Sequence, residues 1–361
     1  MSTLKVNALN NGGSAVDLPN SFTLGGNPIE QGYTSSATEP TSPNTGDLWW
    51  DSANDALYQY LNGEFKALQT VAGSKWFGAR GFHIGGNAVG ARQSIDYWAI
   101  ATTGNAADFG DTQAINSYYN ASCAADGRAV HNHYNNSSLS YFATATLGNA
   151  SDFGDTTTSH AFTAGGLSDD TRGVFMIGNN NPDGMDYITI ATTGNATTFG
   201  NRTVNFIQVA AASGDTYGIH FGGNSGTDVN TATNVIDYIT IQTTGNATDF
   251  GDLSAQSSVG SACSDKTRAV VHIGAPSGVG NSNTLEYVTV DTPSNATDFG
   301  DMTVSTNGTG ACGDGSYGMI SGGSSQNQMC RFTIQTTGNA SDFGDLTVTR
   351  YYATATSGAA A

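Results

Sequence analysis

The chain is poor in charge: only 12% of its 361 residues are Asp, Glu, Lys or Arg, where about 25% is usual. Basic residues are the scarcest, twelve Lys and Arg against thirty Asp and Glu, for a net charge of −18. Contact with phosphate backbones needs a basic stripe that displaces counterions, so a nucleic-acid partner is excluded. No run of about 18 apolar residues occurs, which excludes a membrane-crossing helix. The opening MSTLKVNALNNGGSAVDL lacks the apolar stretch of a secretory signal, so synthesis and folding in a cytoplasm are expected. Polarity comes instead from Thr, Ser, Asn and 47 Gly. Short β-branched runs punctuated by Gly-Asn and Asn-Gly predict an all-β protein with many tight turns.

One phrase recurs six times: an aliphatic-acid-Tyr strand, a Thr-Gly-Asn-Ala turn and Asp-Phe-Gly-Asp, clearest as IDYITIQTTGNATDFGD from Ile236 to Asp252. Its phenylalanines are Phe109, Phe153, Phe199, Phe250, Phe299 and Phe343, spaced by 44, 46, 51, 49 and 44 residues. Repeats of about 40–50 residues holding several short strands belong to β-propellers. A strand ending in a Gly or Asn doublet precedes each Tyr strand, starting at Phe82, His131, Val174, Ile219, Val270 and Met319. A small, polar strand follows each Phe strand, making four per blade. The first repeat lacks its small strand, and the last ends in a spare one, so Tyr351 to Ala361 is expected to enter the first blade and close a six-bladed ring over 74–361. Pairing of this tail with a neighbouring subunit is the rival reading.

Residues 1–70 differ in kind. Tyr58 and Tyr60 alternate up to Leu61, and Asn62-Gly63 predicts a type I′ hairpin turn in a small β-meander over 32–73, with Trp49, Trp50 and Phe65 on its apolar face. The segment 1–31 is Asn/Gly-rich and too poor in apolar residues to fold alone. It reads as an extended anchor that orders on a partner.

The Gly-doublet strand, acid-Tyr strand and following aromatic are similar to kelch repeats, with Phe109 and its equivalents where that family commonly has Trp. Blade two departs with Asn135-Asn136, and the last repeat with Cys330-Arg331 in place of Asp237-Tyr238. MSTLKVNAL, GDLWWDSANDALYQYLNGEFKAL and the TTGNATDFGD repeats, in that order, resemble tail-fibre and other virion structural proteins of marine tailed bacteriophages. The resemblance implies docking to other virion tail proteins through residues 1–70, a distal part facing the host, and a homotrimer by analogy with fibre proteins.

The Asp-Phe-Gly-Asp acids (Asp108 and Asp111, Asp152 and Asp155, Asp249 and Asp252, Asp298 and Asp301, Asp342 and Asp345) have oxygen ligands in a spacing that suits calcium. The preferred reading is structural: Asp and Asn satisfy their own turn's amides and the Phe plugs neighbouring blades. His83, His133, His220 and His272 are read at one strand position, filled by Met176 and Ile320 elsewhere; spread around a ring, they pack between blades without zinc. Cys123, Cys263 and Cys312 stand at equivalent points too far apart to pair, and with Cys330 read as buried thiols. Arg80, Arg128, Arg172 and Arg268 read as blade-surface side chains. Asn195, Asn246 and Asn295 match a glycosylation pattern but belong to the repeated turn. There is no Gly-x-Ser-x-Gly elbow and no phosphate loop, so no catalytic residue, metal or cofactor is assigned.

These readings converge on a virion protein of a tail fibre or appendage, not an enzyme, whose propeller loops contribute to adsorption by binding a host surface glycan or outer-membrane protein. The contact candidates lie in 132–138, 179–184, 223–234 and 276–284: Asn132, Tyr134, Asn179, Asn180, Asn181, Asn224 and Asn281, with Tyr118 and Tyr119 as further stacking faces. A passive adaptor or capsid decoration, a polysaccharide depolymerase and a cellular kelch-type adaptor are the other classes.

Overall fold

The computed structural model describes residues 22–24, 27–29, 33–36, 38–51, 56–61 and 63–67, and residues 77–358 except 88–92, 115, 116, 126, 161, 163, 164, 179, 206, 226–230, 266, 279 and 325. The chain divides into two compact units, Met1–Ala72 and Gly73–Ala361. The described residues form strands, turns and loops, as expected of an all-β chain, and none of their elements is a helix long and apolar enough to cross a membrane.

In the first unit, Phe22–Leu24 pairs with Asn27–Ile29, so the SFTL signal does form a strand. A separate sheet orders Tyr33–Ser36, Leu48–Asp51, Ala56–Leu61 and Glu64–Ala67, its first pair parallel and the others antiparallel. Leu61 faces Glu64 across the predicted hairpin turn, with Gly63 at φ 90°. Trp49 is buried, stacks on Tyr58 at 5.0 Å and meets Phe65 edge-on at 5.3 Å, while its Nε1 donates to the Ser36 carbonyl at 3.1 Å. The Trp50 side chain and the anchor call on residues 1–21 lie outside the described residues.

The second unit holds six antiparallel sheets of four strands, the fourth sheet carrying an extra short strand, Ala275–Pro276. Sheet one is Thr354–Gly358, Arg80–Ile84, Ser94–Ala99 and Ala107–Asp111; the tail strand does pair with Arg80–Ile84, Thr354 opposite Ile84 and Gly358 opposite Arg80. Sheets two to six begin at Ser122, Gly166, Ala210, Ser261 and Gly310 and follow chain order. Third strands bury both faces: Ile95, Asp96 and Trp98 are all enclosed in Ser94–Ala99. An antiparallel strand with one wet face would alternate, so this pattern requires a neighbour on each side.

Those neighbours are the adjoining sheets. Phe82, Ile84, Ile95 and Phe109 of sheet one share a core with Ala124, Ala129, Phe142 and Ala150 of sheet two. Similar clusters join each sheet to the next, and Trp98 and Ile100 of sheet one meet Cys312, Met319, Met329 and Phe343 of sheet six. Each repeat Phe reaches its core through a β-bulge. Ile95 pairs with Gly110 and Asp96 with Asp108, leaving Phe109 unpaired and turned inward, and all six repeats shift register at this place.

The Gly-Asn turn of each repeat docks on the bulge of the preceding sheet, which corrects the expectation that these side chains satisfy their own turn. Asn149 Oδ1 accepts the Asp111 N–H at 3.0 Å, and Asn195, Asn246, Asn295 and Asn339 do the same for Asp155, Asn201, Asp252 and Asp301. Asn105 of the first repeat accepts from Asp345 of the last at 3.1 Å. The close approach needs glycine: at Gly344, φ 150°, an added Cβ would lie 2.5 Å from the Gly104 carbonyl oxygen. Gly344→Ala is therefore expected to cost about 2–4 kcal/mol in urea unfolding. Gly104→Ala, where the Cβ meets nothing within 4 Å, should leave the midpoint nearly unchanged; equal effects would contradict this docking.

Two further interlocks were misread or missed in the sequence. The arginines are half-buried staples and not surface residues. Arg128 Nη1 donates to the Ile190 carbonyl of the next sheet at 3.0 Å while its guanidinium lies 4.3 Å from the Tyr141 ring centroid. Arg80, Arg172 and Arg268 repeat this on Tyr97, Tyr187 and Tyr287. Sheet six exchanges the partners: Arg331 stands at the Tyr position, over Tyr317, and reaches Ile100 and Ala101 of sheet one. Sheet four has Tyr217 against Tyr238 at 4.9 Å. The acid of the acid-Tyr strand is buried and accepts from the preceding repeat: Asp96 from Thr347, Asp186 from Thr157, Asp237 from Thr203 and Glu286 from Ser254.

Candidate functional site

Strands alternate in direction, so the connection from second to third strand and the connection from one sheet to the next emerge at the same end. Six residues of the sheet-to-sheet connections, each just ahead of an innermost strand, adopt the left-handed conformation: Tyr119 (φ 48°), Phe162 (56°), Gln208 (57°), Val259 (56°), Gly308 (66°) and Tyr352 (57°). Their backbones are chained together. Tyr119 N donates to the Tyr352 carbonyl, Tyr352 N to Gly308, Gly308 N to Val259, Val259 N to Gln208 and Gln208 N to Phe162, at 2.6–3.1 Å. The innermost strands line a narrow cavity of about 70 Å³ with small residues, Ser, Thr, Ala, Gly and Cys, and with Leu167. A left-handed backbone costs a bulky residue on the order of 1–3 kcal/mol; Gly308 shows the residue that would avoid it.

Tyr119 and Tyr352 are consecutive in this chain of contacts, Phe162 at its far end meets Tyr119 through its ring, and other aromatic residues join them. Tyr119 stacks on Tyr352 at 4.1 Å and meets Phe162 edge-on at 4.8 Å; Tyr118 stacks on Tyr134 at 4.5 Å; Tyr134 meets Phe162 at 5.4 Å and Tyr351 meets Tyr352 at 4.7 Å. All six rings are half-buried. Burial, then a hydrogen bond to Tyr352, pushes the Tyr119 phenol pKa upward. Asn87 Nδ2 donates to Tyr351 Oη at 2.8 Å.

The structure thus assembles Tyr118, Tyr119 and Tyr134 and adds Phe162, Tyr351 and Tyr352. The sequence held a signal for the last two: a Tyr-Tyr doublet follows both the first and the last repeat Phe at nearly the same distance. The asparagine candidates disperse. Asn132 is buried, its Oδ1 accepting the Ala121 N–H at 2.6 Å and its amide against His160. Asn224 is also buried, bridged through its backbone to Ile207 and Ala232. Asn180 is exposed and donates to the Ser159 carbonyl, Asn181 is half-buried in a strand, and Asn281 is exposed and accepts from Asn307 at 2.7 Å. Asn179 lies outside the described residues.

The remaining candidate groups are interior. His83, His131 and His220 share one strand position with Phe175, Val271 and Ile320, because their cross-strand partners are Asp96, Ser140, Asp237, Asp186, Glu286 and Cys330. His133 and His272 fall outside that register, correcting the alignment read from the sequence. Every histidine is enclosed. His83 lies 2.8 Å from Ser321 Oγ and His272 3.0 Å from Thr309 Oγ1, pairs sealed from any substrate. Asp237 takes Arg202 at 3.2 Å and His220 at 3.1 Å. Its own burial raises the carboxyl pKa, but Arg202, His220 and the Thr203 N–H outweigh this and hold it well below the usual range. Cys123, Cys263, Cys312 and Cys330 are free and buried, and burial pushes the Cys263 thiol up to about 12. Among the described residues, no three His, Cys, Asp or Glu side chains are grouped to hold a metal ion.

No protein-family model and no curated protein matches this sequence.

Proposed function

We propose that the six sheets are the blades of a closed, kelch-like six-bladed propeller, and that the chain is a virion structural protein of a tailed bacteriophage. In this reading it belongs to a tail fibre or appendage: residues 1–70 engage other virion proteins, and the propeller contributes to recognition of the host surface. The observation that carries the reading is the chain's division into a small unit, Met1–Ala72, with the phage-like opening and Trp-rich module, and a larger unit, Gly73–Ala361, whose sheets interlock from first to last. Such a propeller leaves only short sheet edges to recruit other strands, which suits a part displayed on a particle. The aromatic end supplies a contact surface.

Gold labelling of purified virions with antibody against residues 74–361 tests this. Label at the distal tips of tail appendages is the expected result. Label on the head or tail core would make the protein an adaptor or decoration, and unlabelled particles would end the virion reading.

A further inference from the structure

We propose that the aromatic end of the second unit is a binding site for a neutral saccharide, with Tyr118, Tyr134 and Tyr351 as stacking faces. This deepens the host-recognition reading and rests on it for the biological role of the ligand.

Charge distribution selects the ligand. On a chain of net charge −18, the described sheet-to-sheet connections at this end hold no Asp or Glu, and the 179–184 hairpin contributes the half-buried Asp183. Their described arginines, Arg202 and Arg350, are buried in ion pairs with Asp237 and Asp96. Among the described residues of these connections, no exposed cation draws a polyanion.

Ring chemistry narrows it further. Five of the six aromatics are tyrosines, each an apolar face with a polar tip, and they sit half-buried where Leu or Phe would serve packing alone. A pyranose matches this surface: its axial C–H face stacks on an aromatic ring and its equatorial hydroxyls reach outward. Polar partners flank the rings: Asn87 on Tyr351 Oη, and the Asn281, Asn307 and Ser324 group linked at 2.7 and 3.1 Å beside Gly308. Apolar faces with a few convergent polar groups are the usual composition of a small-ligand site.

The test uses the full chain on an array of neutral oligosaccharides, with sialylated and phosphorylated glycans for contrast, and saturation-transfer NMR on any binder. Binding confined to neutral glycans is expected. Tyr134→Ala and Tyr118→Ala should weaken it by about tenfold or more with the urea midpoint kept, while Tyr134→Phe should retain it. No signal from any neutral glycan at millimolar concentration, preference for the charged glycans, or Ala variants that bind like the parent would overturn the proposal. So would an effect of those variants on self-association alone. Particle labelling separates the two readings: saccharide binding by a protein absent from virions leaves this site standing without an adsorption role. A labelled tail tip whose adsorption is abolished by protease treatment of the host, with no glycan bound, removes the site and keeps the role.

Discussion

Removal of residues 351–361 should leave a chain with no cooperative unfolding transition and a near-UV circular dichroism spectrum close to that of unfolded protein. The deletion takes away Thr354–Gly358, which makes five cross-strand pairs with Arg80–Ile84. At about 1 kcal/mol net for each backbone hydrogen bond, that ladder alone contributes several kcal/mol. Buried Ala353, Thr354, Thr356 and Ser357 go with it, as does Tyr352 from the backbone chain of left-handed residues. The sum is comparable with the whole net stability of a domain, about 5–15 kcal/mol. The exposed edge of Arg80–Ile84 would also invite association. A soluble, monomeric deletion variant with unchanged melting temperature would refute in-chain closure, and addition of a peptide spanning 351–361 should restore the transition.

Mild acid should unfold the second unit far more readily than carboxylate protonation alone would. All six histidines of the chain are buried there. Burial lowers each pKa: His133 and His272 to about 4, His160 to about 3, and His83 and His131 well below the ordinary value, with Arg350 adding to the effect at His83. His220 is lowered too, against an opposing pull from Asp237. The unfolded chain takes up these protons from pH ~6.5 downward, whereas the folded chain refuses them until its lower values are reached. Stability is therefore full above that range and falls with pH by ~1.4 kcal/mol per pH unit for each histidine. Between pH 7 and 5, five such groups remove roughly 10 kcal/mol, enough to bring unfolding to about pH 5. Asp237 adds a loss only at lower pH, below the ordinary aspartate range, because its folded pKa is depressed. Melting temperatures that agree at pH 7 and 5 would show that the histidines are not held neutral by burial.

The repeat made the architecture readable. Six copies of one phrase fix strand order, and a spare tail strand opposite a missing one locates the closing pair. What the phrase could not tell was which neighbour each side chain serves. Arg128 and Tyr141 look like two surface residues until the next sheet supplies the Ile190 carbonyl. Asp96 looks like a solvated acid until Thr347, 251 positions away, donates to it. The histidines were misaligned because strands slide: in His131-Asn132-His133 a slip of two residues keeps the same facing, and only the pairing of His131 with Ser140 resolves it. The left-handed residues were invisible, since Tyr, Phe, Gln and Val disfavour that conformation and Gly308 alone, after Asn307, carries the usual signal. Three of the nine contact candidates, Tyr118, Tyr119 and Tyr134, came together because they lie close in sequence, on connections at one end of neighbouring sheets; the asparagines were chosen by loop composition, which does not distinguish a wet amide from an enclosed one.

The Arg-Tyr staple exists in three forms within one molecule: Arg then Tyr in sheets one, two, three and five, Tyr then Tyr in sheet four, and Tyr then Arg in sheet six. Starting from the commonest form, the exchanged one is two codon changes away, and sheet four displays the half-way state at work. The pair can therefore be reversed one residue at a time, never passing through two facing guanidinium groups, and neighbouring sheets can diverge in sequence without losing their grip on one another.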